Sequence, residues 1–449
     1  MHLKAWLPLI FALALTFSGT ALRAQQPAAG KMLPVLSWSE QIEVREGWLE
    51  KHHALLLPMM RKHNVGMWIV VNEEFHKDPL TEFIAPPRIY TGNRDIFVFV
   101  DAGEQGLKKF AVTGYAEESL KRFFVTPDDP RPPKEALKEL YDTYQPKHIA
   151  LGIGGDRGVT RSLTLSSYNF LADAMGPEAA KLFVPAAELI EDYLSTRIPE
   201  EFDTYTQMVL ATEILTRRAL SNEVIQPGKT RVGDIRRWLY DQLWQLRYTT
   251  WFQPDIRLQR QGMTANMSRG FLGVAPESLV IEPGDVLHID FGITYMGLNT
   301  DWQKMAYVLK KGESAPPPGL IAAMAKTNAL QDALTGDARP GKTAGELYRQ
   351  VLAEMQARGI EAQVYSHPIG AQGHGLGPAI SSRAGQQYST EGAKPLVNGT
   401  YLSVELNTAS AIPEWGGQKI FVMMEDDAYL TDAGYKFFRP RQTEYYLIH

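Results

Sequence analysis

Five side chains in the last third of the chain have the types and the setting for metal chemistry: Asp290, Asp301, His374, Glu405 and Glu425. Four carboxylates and one imidazole form a donor set able to hold two divalent cations around one water, and oxygen-rich ligation favours Mn, Co or Fe over a purely zinc site. Asp290 lies in the run Asp285-Val-Leu-His-Ile-Asp290-Phe-Gly292, which turns around Tyr295-Met296 and returns through Leu298-Asn-Thr-Asp301. A hairpin centred there places Asp290 and Asp301 opposite one another on one face, where like charges repel unless something positive sits between them. His374 stands between glycines in Gly373-His374-Gly375-Leu376-Gly377, with no adjacent side chain to crowd what the ring approaches. Glu405 falls inside the apolar stretch 401–406, and Glu425 ends the apolar run 420–424. A carboxylate in an apolar strand must be paired or must bind a metal. Taken one at a time, turn caps account for the aspartates and an Arg or Lys partner for either glutamate equally well, and a lone histidine is more often structural than a ligand. Taken together they point to a two-metal hydrolase.

These residues need elements that converge. The chain has 449 residues, 44% hydrophobic and 22% charged, enough for two or three domains with cores of their own. Residues 1–24 read as a signal peptide: Lys4 precedes an apolar run at 5–17, too short to span a bilayer, followed by small residues. The mature protein is therefore expected to be exported, periplasmic or secreted, with no membrane attachment after cleavage. Residues 31–195 alternate helix and strand patterns (a helix at 48–62, strands at 65–71, 95–100, 109–112 and 148–152), the order of an α/β domain. The segment 152–158, GIGGDRG, lacks the spacing of a nucleotide loop and reads as a turn. Residues 197–449 open with helical patterns at 200–222 and 232–246, then turn to strands, with helices at 318–334 and 344–358. Helices over a curved antiparallel sheet is the natural packing for that order, making the whole chain α+β. A net charge of −5 and no Lys/Arg run leave no footprint for nucleic acid. With no cysteine, thiol catalysis and thiolate-bound zinc are excluded. No histidine is followed by Glu, which excludes a zinc HExxH protease, and no GxSxG elbow supports a serine hydrolase.

The stretches HIDFG (288–292), GLNTD (297–301), GHGLG (373–377), VEL (404–406) and MEDDAYLT (424–431) resemble the pita-bread metallopeptidases, the family of methionine aminopeptidase, Xaa-Pro aminopeptidase and prolidase. The likeness covers 197–449 well, and 31–195 more loosely resembles the creatinase-like domain of the Xaa-Pro members. It implies a pita-bread catalytic domain, a homodimer, and two divalent metals: Asp290 chelating one, Asp301 and Glu425 bridging both, His374 and Glu405 completing the second site. Glu405 would be the general base, and the substrate a short Xaa-Pro peptide cleaved by a metal-bridging hydroxide. Relatives carry further histidines around the metals, one before the first Asp and one after the ligand His, and an arginine two positions before the last Glu. Here 251–287 and 378–382 hold no histidine, and Met423 takes the arginine's place. His288, two residues before Asp290, and His367, seven before His374, are the candidates to replace the missing histidines. Trp415 is expected to face the substrate cleft. Their loss leaves room for a different substrate, a non-peptide amide or other C–N bond. A metal-free binding module of the same fold would predict decayed ligands, and all five are present.

Overall fold

The computed structural model describes residues 32, 34–87, 91–126, 131–268 and 271–449, so the expected leader at 1–24 falls outside them. The first helix spans Trp38–Lys62, ten residues longer than its apolar periodicity indicates, because Ser37 and Glu40 cap its start reciprocally. Behind it lies a five-stranded sheet in the order Leu107–Val112, Arg94–Asp101, Met67–Glu73, Ile149–Leu151, Phe183–Pro185. The first two pairings are antiparallel and the last two parallel. Met67 to Asn72 are buried throughout, which explains why this strand reads as an unbroken apolar run without alternation. Helices Trp38–Lys62 and Ala187–Ser195 cover one face, and Pro133–Tyr144 and Leu165–Met175 the other.

The second half is built on two sheets. Helices Phe202–Ala219 and Val232–Leu246 pack their apolar faces on a four-stranded sheet ordered Tyr446–Ile448, Gln303–Val308, Val286–Asp290, Asp255–Gln259. Helices Pro318–Asp337 and Ala344–Ala357 cover a seven-stranded sheet. Its path runs Gln418–Met424, Leu406–Ile412, Glu361–Pro368, Tyr401–Ser403, Asp427–Thr431, Gly434–Phe437, with Ile380–Ser381 added against Glu361–Pro368. The two sheets join at the pair Gln303–Glu425. The result is a curled, almost wholly antiparallel half-barrel with helices outside, the α+β architecture expected. No described helix is long and apolar enough to cross a membrane.

The hairpin carrying the aspartates differs from expectation by one residue at its turn. Met296 (φ 54°) and Gly297 (φ 81°) form the turn, and Tyr295 pairs with Leu298. Two consecutive positive φ values are what a tight two-residue hairpin turn requires, and glycine accepts one without strain. Moving the turn centre by one residue moves the pairing by two, so Asp290 faces Gln303 and not Asp301. Asp255 flanks Asp290 on the other side. One row thus crosses the junction: Asp255, Asp290, Gln303, Glu425.

Candidate metal centre

Each acidic residue of the centre sits where regular pairing stops. Asp290 ends its strand, Asp301 follows the hairpin before pairing resumes at Gln303, and Glu405 lies between strands Tyr401–Ser403 and Leu406–Ile412. Glu425 lies between Gln418–Met424 and Asp427–Thr431. Such interruptions re-aim a side chain, as bulges beside active sites do. The backbone there is held by other partners: Glu405 O accepts from Tyr365 N and Ser366 Oγ, and Lys304 Nζ donates to Glu425 O.

Asp301, His367 and Glu425, all buried, present oxygen and nitrogen atoms within 4.8 Å of one another. His367 Nε2 lies 3.5 Å from Glu425 Oε1, 3.6 Å from Asp301 Oδ2 and 3.8 Å from Glu405 Oε2. The sequence pointed to His374 for this position, and the structure puts His367 there. His367 closes a strand of the half-barrel (Glu361–Pro368), whereas His374 is an exposed residue of the loop beyond it. The rings of the two histidines meet edge to face, 4.6 Å apart. The glycines around His374 have a different cause from the one expected. A Cβ on Gly373 would fall 2.3 Å from the Trp251 ring, and one on Gly375 would fall 2.7 Å from Pro368 O. Trp251 stacks edge-on to His374 at 5.0 Å and donates Nε1–H to Thr300 O. Trp251, not Trp415, is the indole at the cleft; Trp415 packs into the core under the seven-stranded sheet.

Two residues of the centre carried no recognisable motif. Gln303 Nε2 donates to Asp290 Oδ2 (3.3 Å) and to Glu405 Oε1, while its Oε1 faces His288 Nε2 at 2.9 Å. His288 is wholly buried and reaches the carboxylates only through Gln303, so the structure gives it no direct contact with substrate. Arg257, beside His288 on the neighbouring strand, stands 3.8 Å from Asp290 Oδ2. It supplies from another strand the positive charge that Met423 lacks. Around the rim, Ser403 Oγ donates to Glu425 Oε1 (2.6 Å), and Asp427 Oδ2 accepts from Asp301 N and Tyr205 Oη. Lys304, fully buried, pairs with Asp426 at 2.7 Å. The acidic run 425–427 thus also holds the surrounding strands together.

The charges do not balance. Burial, then repulsion from Glu425, pushes Asp290 and Glu405 well above the usual carboxylate range, and the same two causes raise Asp301 and Asp427. Burial also acts on Glu425, but the adjacent His367 and the Ser403 hydroxyl outweigh it and hold that carboxyl low. Burial alone would lower His367; Glu425 and Glu405 overcome it and raise the ring to about 9. Glu425 Oε2, Asp427 Oδ1 and His367 Nε2 remain buried with no hydrogen-bond partner among the described residues. Orphaned acceptors around under-neutralised carboxylates fit a divalent cation: the donors are hard oxygens plus one imidazole, and one arginine cannot compensate them all.

A half-barrel of antiparallel strands carrying such a centre at its junction defines a metallopeptidase-type catalytic domain. Residues 213–432 match Metallopeptidase family M24, and the chain carries that family's domain there. The whole fold is similar to an X-Pro aminopeptidase from Thermotoga maritima MSB8 (17% identity over 88% of this chain and 99% of that one, TM-score 0.64). It is also similar to an Xaa-Pro dipeptidase from Bacillus anthracis (18%, 92% and 99%, TM-score 0.59) and a prolidase from Thermococcus sibiricus (14%, 92% and 100%, TM-score 0.56). No curated protein matches the chain in sequence.

Proposed function

We propose that this metallopeptidase domain holds two divalent cations, Mn, Co or Fe before Zn, and acts as an exopeptidase on short Xaa-Pro peptides. The convergence of buried Asp301, His367 and Glu425 within 4.8 Å carries the reading. Those three with Glu405 would hold one cation; Asp290, sharing Asp301 and Glu425, would hold the other. When bound, the cations supply Lewis acidity toward a carbonyl and lower the pKa of water. The chain's own residues do the rest. Gln303 fixes Glu405 through Oε1 and leaves Oε2, 3.8 Å from His367 Nε2, to accept a proton and return it to the leaving nitrogen. His374, at the exposed mouth, is pushed down to about 4 by partial desolvation and the charge of His367. It is therefore neutral near pH 7 and able to donate a hydrogen bond to a substrate carbonyl. Trp251, packed against that ring, orients it and narrows the approach. The resemblance to Xaa-Pro peptidases supports the proline preference.

A non-peptide amide substrate rested on missing auxiliary histidines. With His367 in the cluster, His374 supplies one of them, and that support is reduced to the histidine missing from 251–287. Convergence of the acidic residues argues equally against a metal-free binding module. Protein loaded with Mn or Co should cleave the Xaa–Pro bond, releasing the N-terminal residue from Xaa-Pro dipeptides or from Xaa-Pro-Yaa tripeptides, and leave matched Xaa-Ala peptides nearly untouched, read by chromatography. Silence across the Xaa-Pro panel, with metal demonstrably bound, rejects the reading. Homodimerisation and export belong to the same proposal, and are tested by sedimentation and by N-terminal sequencing of protein recovered from expressing cells.

A further inference from the structure

Gln303 ties three acidic positions of the centre together. Its backbone N–H donates to Glu425 O and its carbonyl accepts from Glu425 N, both at 3.2 Å. Its amide Nε2 donates to Asp290 Oδ2 at 3.3 Å and to Glu405 Oε1. A glutamine amide is nearly symmetric in shape, and a half-turn about its last bond exchanges the NH2 for the carbonyl oxygen. Turned the other way, Gln303 would press a carbonyl oxygen against two carboxylates and lose both contacts.

His288 stands where it can exclude that second orientation. Gln303 lies opposite Asp290, and His288 lies opposite Met305. His288 is therefore the diagonal neighbour of Gln303 on one face of the sheet, a separation that long side chains bridge. Its Nε2 lies 2.9 Å from Gln303 Oε1. Both residues are buried, at 0% and 1% exposure, so water does not compete for the far end of the amide. The other ring nitrogen, Nδ1, is buried with no hydrogen-bond partner among the described residues. An orphaned polar atom of that kind costs about 1–3 kcal/mol, and an apolar side chain would fill the position without it. Packing alone does not call for an imidazole here; the contact to Gln303 does.

We infer that His288 is a positioning residue: its Nε2–H donates to Gln303 Oε1 and so holds the amide with its NH2 toward Asp290 and Glu405. This rests on the metallopeptidase reading of the centre and extends it one residue outward. With both amide hydrogens committed, one oxygen of each carboxylate is held in place, and Glu405 keeps Oε2 for proton transfer. His288 touches neither substrate nor reacting atom. An amide free to turn would release Asp290 and Glu405 together, so metal uptake and turnover both depend on the ring behind it.

Two experiments test the assignment. In metal-free protein labelled with nitrogen-15 at histidine, the ring signal that disappears in His288→Gln belongs to His288, and at neutral pH it should carry a proton on Nε2. A proton on Nδ1 with Nε2 bare overturns the inference, because Gln303 would then have to turn its NH2 toward the ring. The second experiment measures Mn affinity by calorimetry for His288→Leu, Gln303→Leu and the double variant, each checked for cooperative thermal unfolding. Removing a group that orients a metal ligand weakens affinity or activity by roughly 10- to 100-fold. Each single variant should fall in that range, and the double variant should bind no more weakly than Gln303→Leu, as expected of residues acting in series. His288→Gln, which keeps an N–H donor, should recover most of the affinity. With Mn saturating and Ala-Pro as substrate, His288→Leu should lose kcat with KM unchanged. Losses that multiply in the double variant, or wild-type Mn affinity in His288→Leu, overturn the inference and leave the peptidase reading intact. Absence of peptide hydrolysis by Mn-loaded wild type overturns the peptidase reading, while the ring signal and the Mn affinities still decide the role of His288.

Discussion

Replacing His367 by alanine, beside a parallel His374→Ala, separates the two histidines by a quantity the structure fixes. His367 is raised from 6.5 to about 9 by Glu425 and Glu405 against the opposing effect of burial. That rise corresponds to about 3 kcal/mol of folding stability. Because the folded value is the higher one, the contribution is complete below about pH 6.5 and disappears as pH rises through about 9. Unfolding entropy of ~2.1 cal/mol/K per residue over the ~250 residues of the catalytic half gives ~0.5 kcal/mol/K. Metal-free His367→Ala should then melt about 6 °C below wild type at pH 6, with the gap closing by pH 10. A cation at a hundredfold its Kd adds about 2.7 kcal/mol, or about 5 °C, to the wild type. Differential scanning calorimetry with and without Mn reads both terms. His367→Ala should lose the metal increment and His374→Ala should keep it. A full increment in His367→Ala, or its loss in His374→Ala, would refute the placement of the imidazole.

Lys304→Met leaves Asp426 buried without its cation, and should cost about 3–5 kcal/mol in urea unfolding; adding Asp426→Asn should restore part of it. Gly373→Ala drives a methyl into Trp251 and should raise KM while metal content stays normal, measured by kinetics and elemental analysis. Asp290, Asp301 and Glu405 all have raised values in the metal-free protein, so their net effect is stability lost as pH climbs above about 4. The Tm gained on adding Mn should consequently grow from pH 5 to pH 8; a flat increment would contradict the electrostatic account.

Periodicity and apolar runs revealed most of the framework. The Val232–Leu246 helix matches its pattern end to end, and the Pro318–Asp337 and Ala344–Ala357 helices begin where their patterns do. Local chemistry set what periodicity does not report: the Ser37–Glu40 cap lengthens the first helix, and the Met296–Gly297 turn sets which residue faces Asp290. At the centre, the acidic residues were legible because charge in an apolar strand needs a reason. The histidine was not, because glycines advertise close packing as readily as ligand access, and only the fold shows that Trp251 occupies the space over Gly373. Gln303 and Arg257 were invisible for a related reason. Each belongs to the centre through cross-strand register, which exists only after the sheet has formed.

Equilibrium dialysis of demetallated protein against Mn at pH 7.5 tests the central claim most directly. Saturable binding of two ions per chain, abolished or halved in Asp301→Asn and His367→Ala, is the predicted result. Protein that remains folded and takes up no Mn at millimolar concentration would show that these carboxylates are gathered for some other purpose.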